Sequence, residues 1–340
     1  SGLKFGFWAA VLAFLVACGG GSGSNERLPV ANNDGEEESG QIILAITDAE
    51  GDFDSYTVAV ASIVLERIDG TVVETLPMST VVDFAELTEV TELLTVATVP
   101  AGRYRQATLR LDYTDATIIV QDDAGGLHDA LVQDESGAPI TTLEVSLELV
   151  DADAIVIRPG VPAAFSLDFD LDASNEIDLS AAPPIVTVAP FLLASAELEA
   201  DRSHRLRGIL SEVDEAAETV TLNVRPLRHR RGQFGMLSFA VNDATLYEVD
   251  GATDQGAEGL AALSALTLSD AEFPVVAGGL VEAGELIAET VLAGSSVPWT
   301  AHDVARGSVV ARSGDALTLS GVVVEYADGL VCLLYTSDAA

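Results

Sequence analysis

The sequence predicts an all-β protein, an antiparallel β-sandwich followed by a smaller β-barrel-like domain. Three observations predict it. Apolar and polar residues alternate at Tyr56, Val58 and Val60 against Thr57, Ala59 and Ala61. The same alternation returns at Ala107, Leu109, Leu111 and Tyr113 against Gln106, Thr108, Arg110 and Asp112. A period of two puts one face of a sheet on a core and the other toward water. Asp69-Gly70 sits between the strand-like runs 62–68 and 71–76, a strong hairpin signal. Turn residues recur between many short runs of this kind, which is the spacing of a sandwich. Only residues 86–94 read as a short helix.

Composition bounds the classes open to the chain. Its 340 residues, 49% of them hydrophobic, suffice for two domains with their own cores. Asp and Glu number 54 against 16 Lys and Arg, a net charge of −38. A surface of that sign excludes nucleic acid, whose phosphates are held by basic groups. It favours solubility at high salt and contact with cations. Cys18 and Cys332 lie at opposite ends of the chain and have separate explanations. Stability is therefore expected from core burial and not from disulfides.

Residues 1–18 read as an export signal. Lys4 supplies a positive start, and residues 5–16 form an apolar run of the length of a signal's hydrophobic region, too short to span a bilayer. The run ends in Leu15-Val16-Ala17-Cys18, which resembles the bacterial lipobox. The resemblance implies a lipoprotein, with diacylglycerol on the Cys18 sulfur and a further acyl chain, such as palmitate, on its amine. Several chains at about 0.8 kcal/mol per buried CH₂ give durable anchoring. Gly19, where inner-membrane retention would place Asp, points to the outer membrane, on its periplasmic or surface face. Residues 19–40, rich in Gly and Ser and then in acids, form a flexible tether with a reach of roughly 25 Å.

Residues 41–198 form the predicted sandwich. Ile46-Thr47-Asp48-Ala49, Phe53, Tyr56-Thr57-Val58, Val99-Pro100-Ala101-Gly102-Arg103-Tyr104 and Leu167-Asp168-Phe169-Asp170-Leu171 resemble the domain of unknown function 4382. Glu50 stands where that family usually has proline. Members are typically lipoprotein ectodomains without an assigned activity. The Pro-Ala-Gly-x-Tyr segment is also similar to transthyretin-type and immunoglobulin-like sandwich modules, in which a tight turn launches a core strand. Pro183-Pro184 and Pro190 lead out of this domain.

Residues 205–331 form the predicted barrel-like domain. The runs 206–210 and 219–224 flank an acidic turn, and the pattern returns at 305–310 and 317–322 as a partial internal repeat. The unit resembles the domain of unknown function 5666, a family of small β-barrel modules. Residues 332–340 resemble the translation of a sequencing-library adapter, which is expected to pack poorly and would make Cys332 foreign to the chain.

Asp168, Asp170, Asp172 and Asp178 form an acidic row whose hard oxygens suit Ca²⁺. Asp48, Asp52 and Asp54 could converge on it. Ala173 and Leu179 occupy the positions where an EF-hand needs Gly and Glu, and a half-buried strand with a solvated acidic face is the plainer explanation. Arg225, Arg228, Arg230 and Arg231, with His229 among them, form a basic island. It could grip an anion such as an acidic polysaccharide, pair with the acidic first domain, or lie solvated. His128, His204, His229 and His302 show no metal-ligand spacing, and neither a nucleophile elbow nor a phosphate loop occurs. Trp299 and Tyr247 could line a sugar platform or sit in the core. The expectation is a lipid-anchored, non-catalytic binding or scaffolding module of the bacterial envelope, its partner an envelope polysaccharide or protein. A calcium-dependent adhesin or glycan-binding lipoprotein is the second reading and a glycan hydrolase the third.

Overall fold

The computed structural model describes residues 38–48, 52–122, 124–149, 154–227, 231–268, 271–298, 304–314, 316–325 and 331–334. β1 (Ser39–Thr47), β2 (Phe53–Arg67), β3 (Val72–Glu74) and β4 (Thr80–Asp83) lead through a 3₁₀ turn at Phe84–Leu87 to β5 (Val90–Pro100). β6 (Gly102–Gln121) is followed by β7 (Leu127–Asp129), β8 (Leu131–Asp134), β9 (Thr142–Glu148), β10 (Ile155–Ile157) and β11 (Ala163–Phe169). One helical turn, α1 (Leu171–Ser174), precedes β12 (Asn175–Asp178), β13 (Ile185–Val188) and β14 (Leu192–Ser195). Then come β15 (Ser203–Asp214), β16 (Thr219–Val224), β17 (Met236–Ala240), β18 (Leu246–Val249), β19 (Ala252–Gln255) and helix α2 (Gly256–Leu266). β20 (Pro274–Glu282), β21 (Glu285–Ala293), β22 (Val304–Ser313), β23 (Ala316–Glu325) and β24 (Val331–Leu334) complete the order.

The all-β class holds. β2 and β6 pair antiparallel along most of their length, and β6 also carries β7, β9 and β10, in a seven-stranded sheet. Tyr56, Val58 and Val60 of β2 and Ala107, Leu109, Leu111 and Tyr113 of β6 are buried, as their alternation requires. They share one core with Leu44 and Ile46 of β1 and with Phe165 and Phe169 of β11, which belong to the second, eleven-stranded sheet. Two sheets closing on a common apolar layer make the sandwich. The Asp69-Gly70 turn connects β2 to β3 as expected. Asp69 accepts the Thr71 N–H at 2.9 Å, and Gly70 takes φ +88°. The Pro100-Ala101-Gly102 turn launches β6, with Gly102 at φ +148°, and the buried Tyr104 donates its hydroxyl to the Pro100 carbonyl at 2.8 Å.

The eleven-stranded sheet continues past residue 200. β15 pairs parallel with β5 at Ser203↔Val90, His204↔Thr91 and Arg205↔Glu92. β15 also pairs with β16 and β20, β16 with β17, and β20 with β21. β17 meets β21 through one residue pair, Ala240↔Ile287. The ring is thus barrel-like and held at that point by a single pair, and none of the sheets closes into a true barrel. The antiparallel hairpin β15–β16 is echoed by β22–β23, in the runs where the repeat was expected.

The structure departs from the sequence reading in two elements. The helix expected over 86–94 is a 3₁₀ turn followed by β5. β5 lies between β1 and β15 and buries Thr91 through Val96 on both faces. A strand buried on both faces loses its alternation and cannot be told from a helix by period. Helix α2, not expected, docks through Leu260 and Leu263. The adapter-like stretch meets β24, whose Cys332, Leu333 and Leu334 pair along the backbone with Val324, Val323 and Val322. The side chains of β24 and residues 335–340 lie outside the described residues.

Six of the 54 acidic residues have a local task. Asp69, Asp112, Asp122, Asp134, Asp178 and Asp214 each accept the backbone N–H two residues on, at 2.8–2.9 Å. A carboxylate satisfying its own turn in this way favours the tight reversals that a many-stranded protein needs.

Candidate functional site

The sequence-predicted residues fall on separate elements where they are described. Cys18, Arg228, His229, Arg230, Trp299 and His302 lie outside the described residues. The acidic row ends as a strand at Phe169, because Asp170 caps α1 by accepting the Ala173 N–H at 2.9 Å. Asp168 is half-buried on β11, and Asp172 is exposed on α1. Asp178, at the end of β12, accepts the Ser180 N–H at 2.9 Å and its hydroxyl at 2.6 Å. Those hydrogen bonds, the hydroxyl's first, hold the Asp178 carboxyl below the usual carboxylate range. Asp48 is buried and accepts the Leu171 N–H at 3.0 Å, while Asp52 is exposed and Asp54 half-buried. Among the described residues, no group of three or more His, Cys, Asp or Glu could hold a metal ion. Asp168, Asp170, Asp172 and Asp178, expected as calcium ligands, form no such group. Of the basic island, Arg225 is half-buried and donates to the Val224 carbonyl at 2.9 Å, and Arg231 is exposed.

One polar feature escaped the sequence reading, and of a second only Tyr247 was singled out. The first is a seam where β15 meets β5. Glu92 is fully buried and ion-paired with Arg205 Nε at 2.5 Å and Arg207 Nε at 3.1 Å. The Leu227 N–H donates to Glu92 Oε1, the oxygen that also faces Arg207, at 3.4 Å. Burial pulls the Arg207 guanidinium below its ordinary value, and the Glu92 charge opposes that shift. Arg202 donates to the carbonyls of Asp48, Leu87 and Thr88 at 2.7, 2.7 and 2.5 Å. A signal for the seam existed. Arg205 and Arg207 stand two apart on one strand face, and Glu92 sits alone in an apolar run.

The second feature is a cleft of about 90 Å³ between the β15–β16 turn, the start of β18 and helix α2. Glu215 and Glu218 stand on the exposed turn, where Glu218 takes φ +54°, and Asn242 completes the polar rim. Val241, Ala257 and Leu260 supply apolar wall. Tyr247 lines the cleft although only 1% exposed. Its ring lies against Gly259 of α2, where a Cβ would come 2.1 Å from Tyr247 Cδ2. Glycine at 259 is what lets the helix approach. The Tyr247 hydroxyl has no hydrogen-bond partner among the described residues. Burial, and then the Glu218 carboxylate, push its phenol up to about 12. It stays protonated at neutral pH, with its donor and acceptor capacity unused among the described residues.

The fold and site define an all-β protein with an unassigned polar cleft. The family model described as "Domain of unknown function (DUF4382)" matches residues 39–181. That span covers the sandwich from β1 to beyond β12 and stops before the cleft. No curated protein and no solved structure matches the chain.

Proposed function

We propose that this chain is a lipid-anchored protein of the bacterial cell envelope whose folded part binds or scaffolds other molecules without catalysing a reaction. The observation that carries the binding half is the Tyr247 cleft. Its buried phenol, held protonated with a pKa pushed up to about 12, is suited to hydrogen bonding and not to proton exchange near neutrality. The anchoring half rests on Leu15-Val16-Ala17-Cys18 and on the tether that follows. Cys18→Ala tests the reading by cell fractionation. The parent protein should sediment with membranes and the variant should be released, because the acyl chains that Cys18 would carry supply the durable membrane affinity. A variant that stays fully membrane-bound overturns the anchor.

A further inference from the structure

We infer that His204 is an acid-sensitive latch that holds β15 against β5 and releases it when the imidazole takes up a proton. The latch goes beyond the proposed function and rests on neither the anchor nor the cleft. Three residue pairs join β15 to β5, Ser203↔Val90, His204↔Thr91 and Arg205↔Glu92, and His204 is the middle one. On its other edge it pairs with Gly279 of β20. The residue is 0% exposed, and neither ring nitrogen has a hydrogen-bond partner among the described residues. A neutral imidazole in that place leaves one donor unmet. An imidazolium leaves two and adds a buried charge, which costs far more. The proton is therefore taken up when the joint opens, and once bound it favours the open form.

The surroundings do little for that charge. β5 presents Thr91 beside His204, its Glu92 is engaged by Arg205 and Arg207, and Glu89 before it is exposed. β16 carries no charged residue, and the charged residues of β20 and α2, Glu282 and Glu258, are both exposed. The charges that reach the ring come from its own chain, the exposed Glu199 and Arg202. Burial lowers the His204 pKa from 6.5, the Arg202 backbone and the Glu199 carboxylate offset that in part, and the Arg202 guanidinium adds to it. The closed joint is thus favoured above 6.5, and the open form gains as pH falls toward the lower value of the closed one. The release is local. The Val96 N–H and the Thr95 hydroxyl of β5 donate to the Phe234 carbonyl at 2.7 and 3.0 Å, a second tie without a titratable group.

The test is hydrogen–deuterium exchange of the full chain in detergent, read by mass spectrometry at about pH 7.5 and about pH 5.5 and corrected for intrinsic exchange. Opening at 203–205 is expected to rise between about threefold and about tenfold at the lower pH. Opening at 60–65 of β2 and at Val96 should not change. His204→Leu is apolar and of similar volume, and His204→Asn is polar without a titrating group. Each should remove the rise, with circular dichroism showing that the variant is folded. No rise at 203–205, an equal rise at 60–65, or a rise that persists in either folded variant overturns the latch. If neither variant folds, the contrast between 203–205 and 60–65 in the parent decides alone. The fractionation result for Cys18 stands apart from all of these.

Discussion

Replacing Glu92 by leucine strands two positive charges where β15 meets β5. Arg205 and Arg207 differ in what they can do next. The Arg205 side chain is 23% exposed and can turn its guanidinium toward water, whereas that of Arg207 is 8% exposed and cannot. One uncompensated buried charge costs about 3–5 kcal/mol. With Arg205 relaxing, the lower end applies, so Glu92→Leu should destabilise by about 3 kcal/mol. Adding Arg207→Met should restore most of that loss, because exchanging a whole buried pair for apolar groups of similar size is often near neutral. Urea denaturation followed by circular dichroism reads both. With slopes of about 1–3 kcal/mol per molar, the single variant's midpoint should fall by about 1 M or more. A midpoint within about 0.3 M of the parent's, or no recovery in the double variant, would refute the view that this ion pair locks the sheet across residue 200.

Gly259→Ala should push a Cβ into the Tyr247 ring, 2.1 Å from Cδ2 as the helix now sits. Thermal melts should show a loss of about 1–3 kcal/mol, as overpacking does. Stability should fall in two stages on acidification. His204, whose pKa burial lowers from 6.5, stays neutral in the fold while the unfolded chain protonates, so stability declines as pH drops below 6.5 toward the lower folded value. Asp69, Asp112, Asp134 and Asp178 have pKa values lowered from 3.8, chiefly by hydrogen bonds from the residue two positions on, and Asp122 first by its hydrogen bond with His128. Their contribution is present above 3.8 and is lost as pH falls through the lowered values. His204→Asn should abolish the first stage alone, as pH-dependent denaturation would show. CaCl₂ should raise the melting temperature no more than NaCl of matched ionic strength. A larger, saturable rise that Asp170→Asn removes would restore the acidic row as a metal site.

The fold was legible wherever one face met water. β2 and β6 announce themselves by alternation, and Asp69-Gly70 fixes the hairpin between β2 and β3. β5 was not legible because it is buried on both faces, and continuous burial erases the period. The seam was hidden for a different reason. Glu92 and Arg205 stand 113 residues apart, and nothing local says that β15 will lie parallel to β5. The helix cap within the acidic row was not legible because Asp170 looks the same in sequence whether it faces solvent from a strand or caps a helix. Tyr247 was marked as either core or platform, and it is buried with a hydroxyl left over. Gly259, whose missing side chain makes room for the ring, sits in an Ala-rich run that gave no helix signal.

The chain's place in the envelope is tested most directly by metabolic labelling with an alkyne fatty acid, comparing the parent protein with Cys18→Ala. The parent should carry label, and its amino-terminal peptide should begin at a triacylated Cys18. The alanine variant should carry none and leave the membrane fraction. An unlabelled parent, or a label that persists without Cys18, would contradict the anchor.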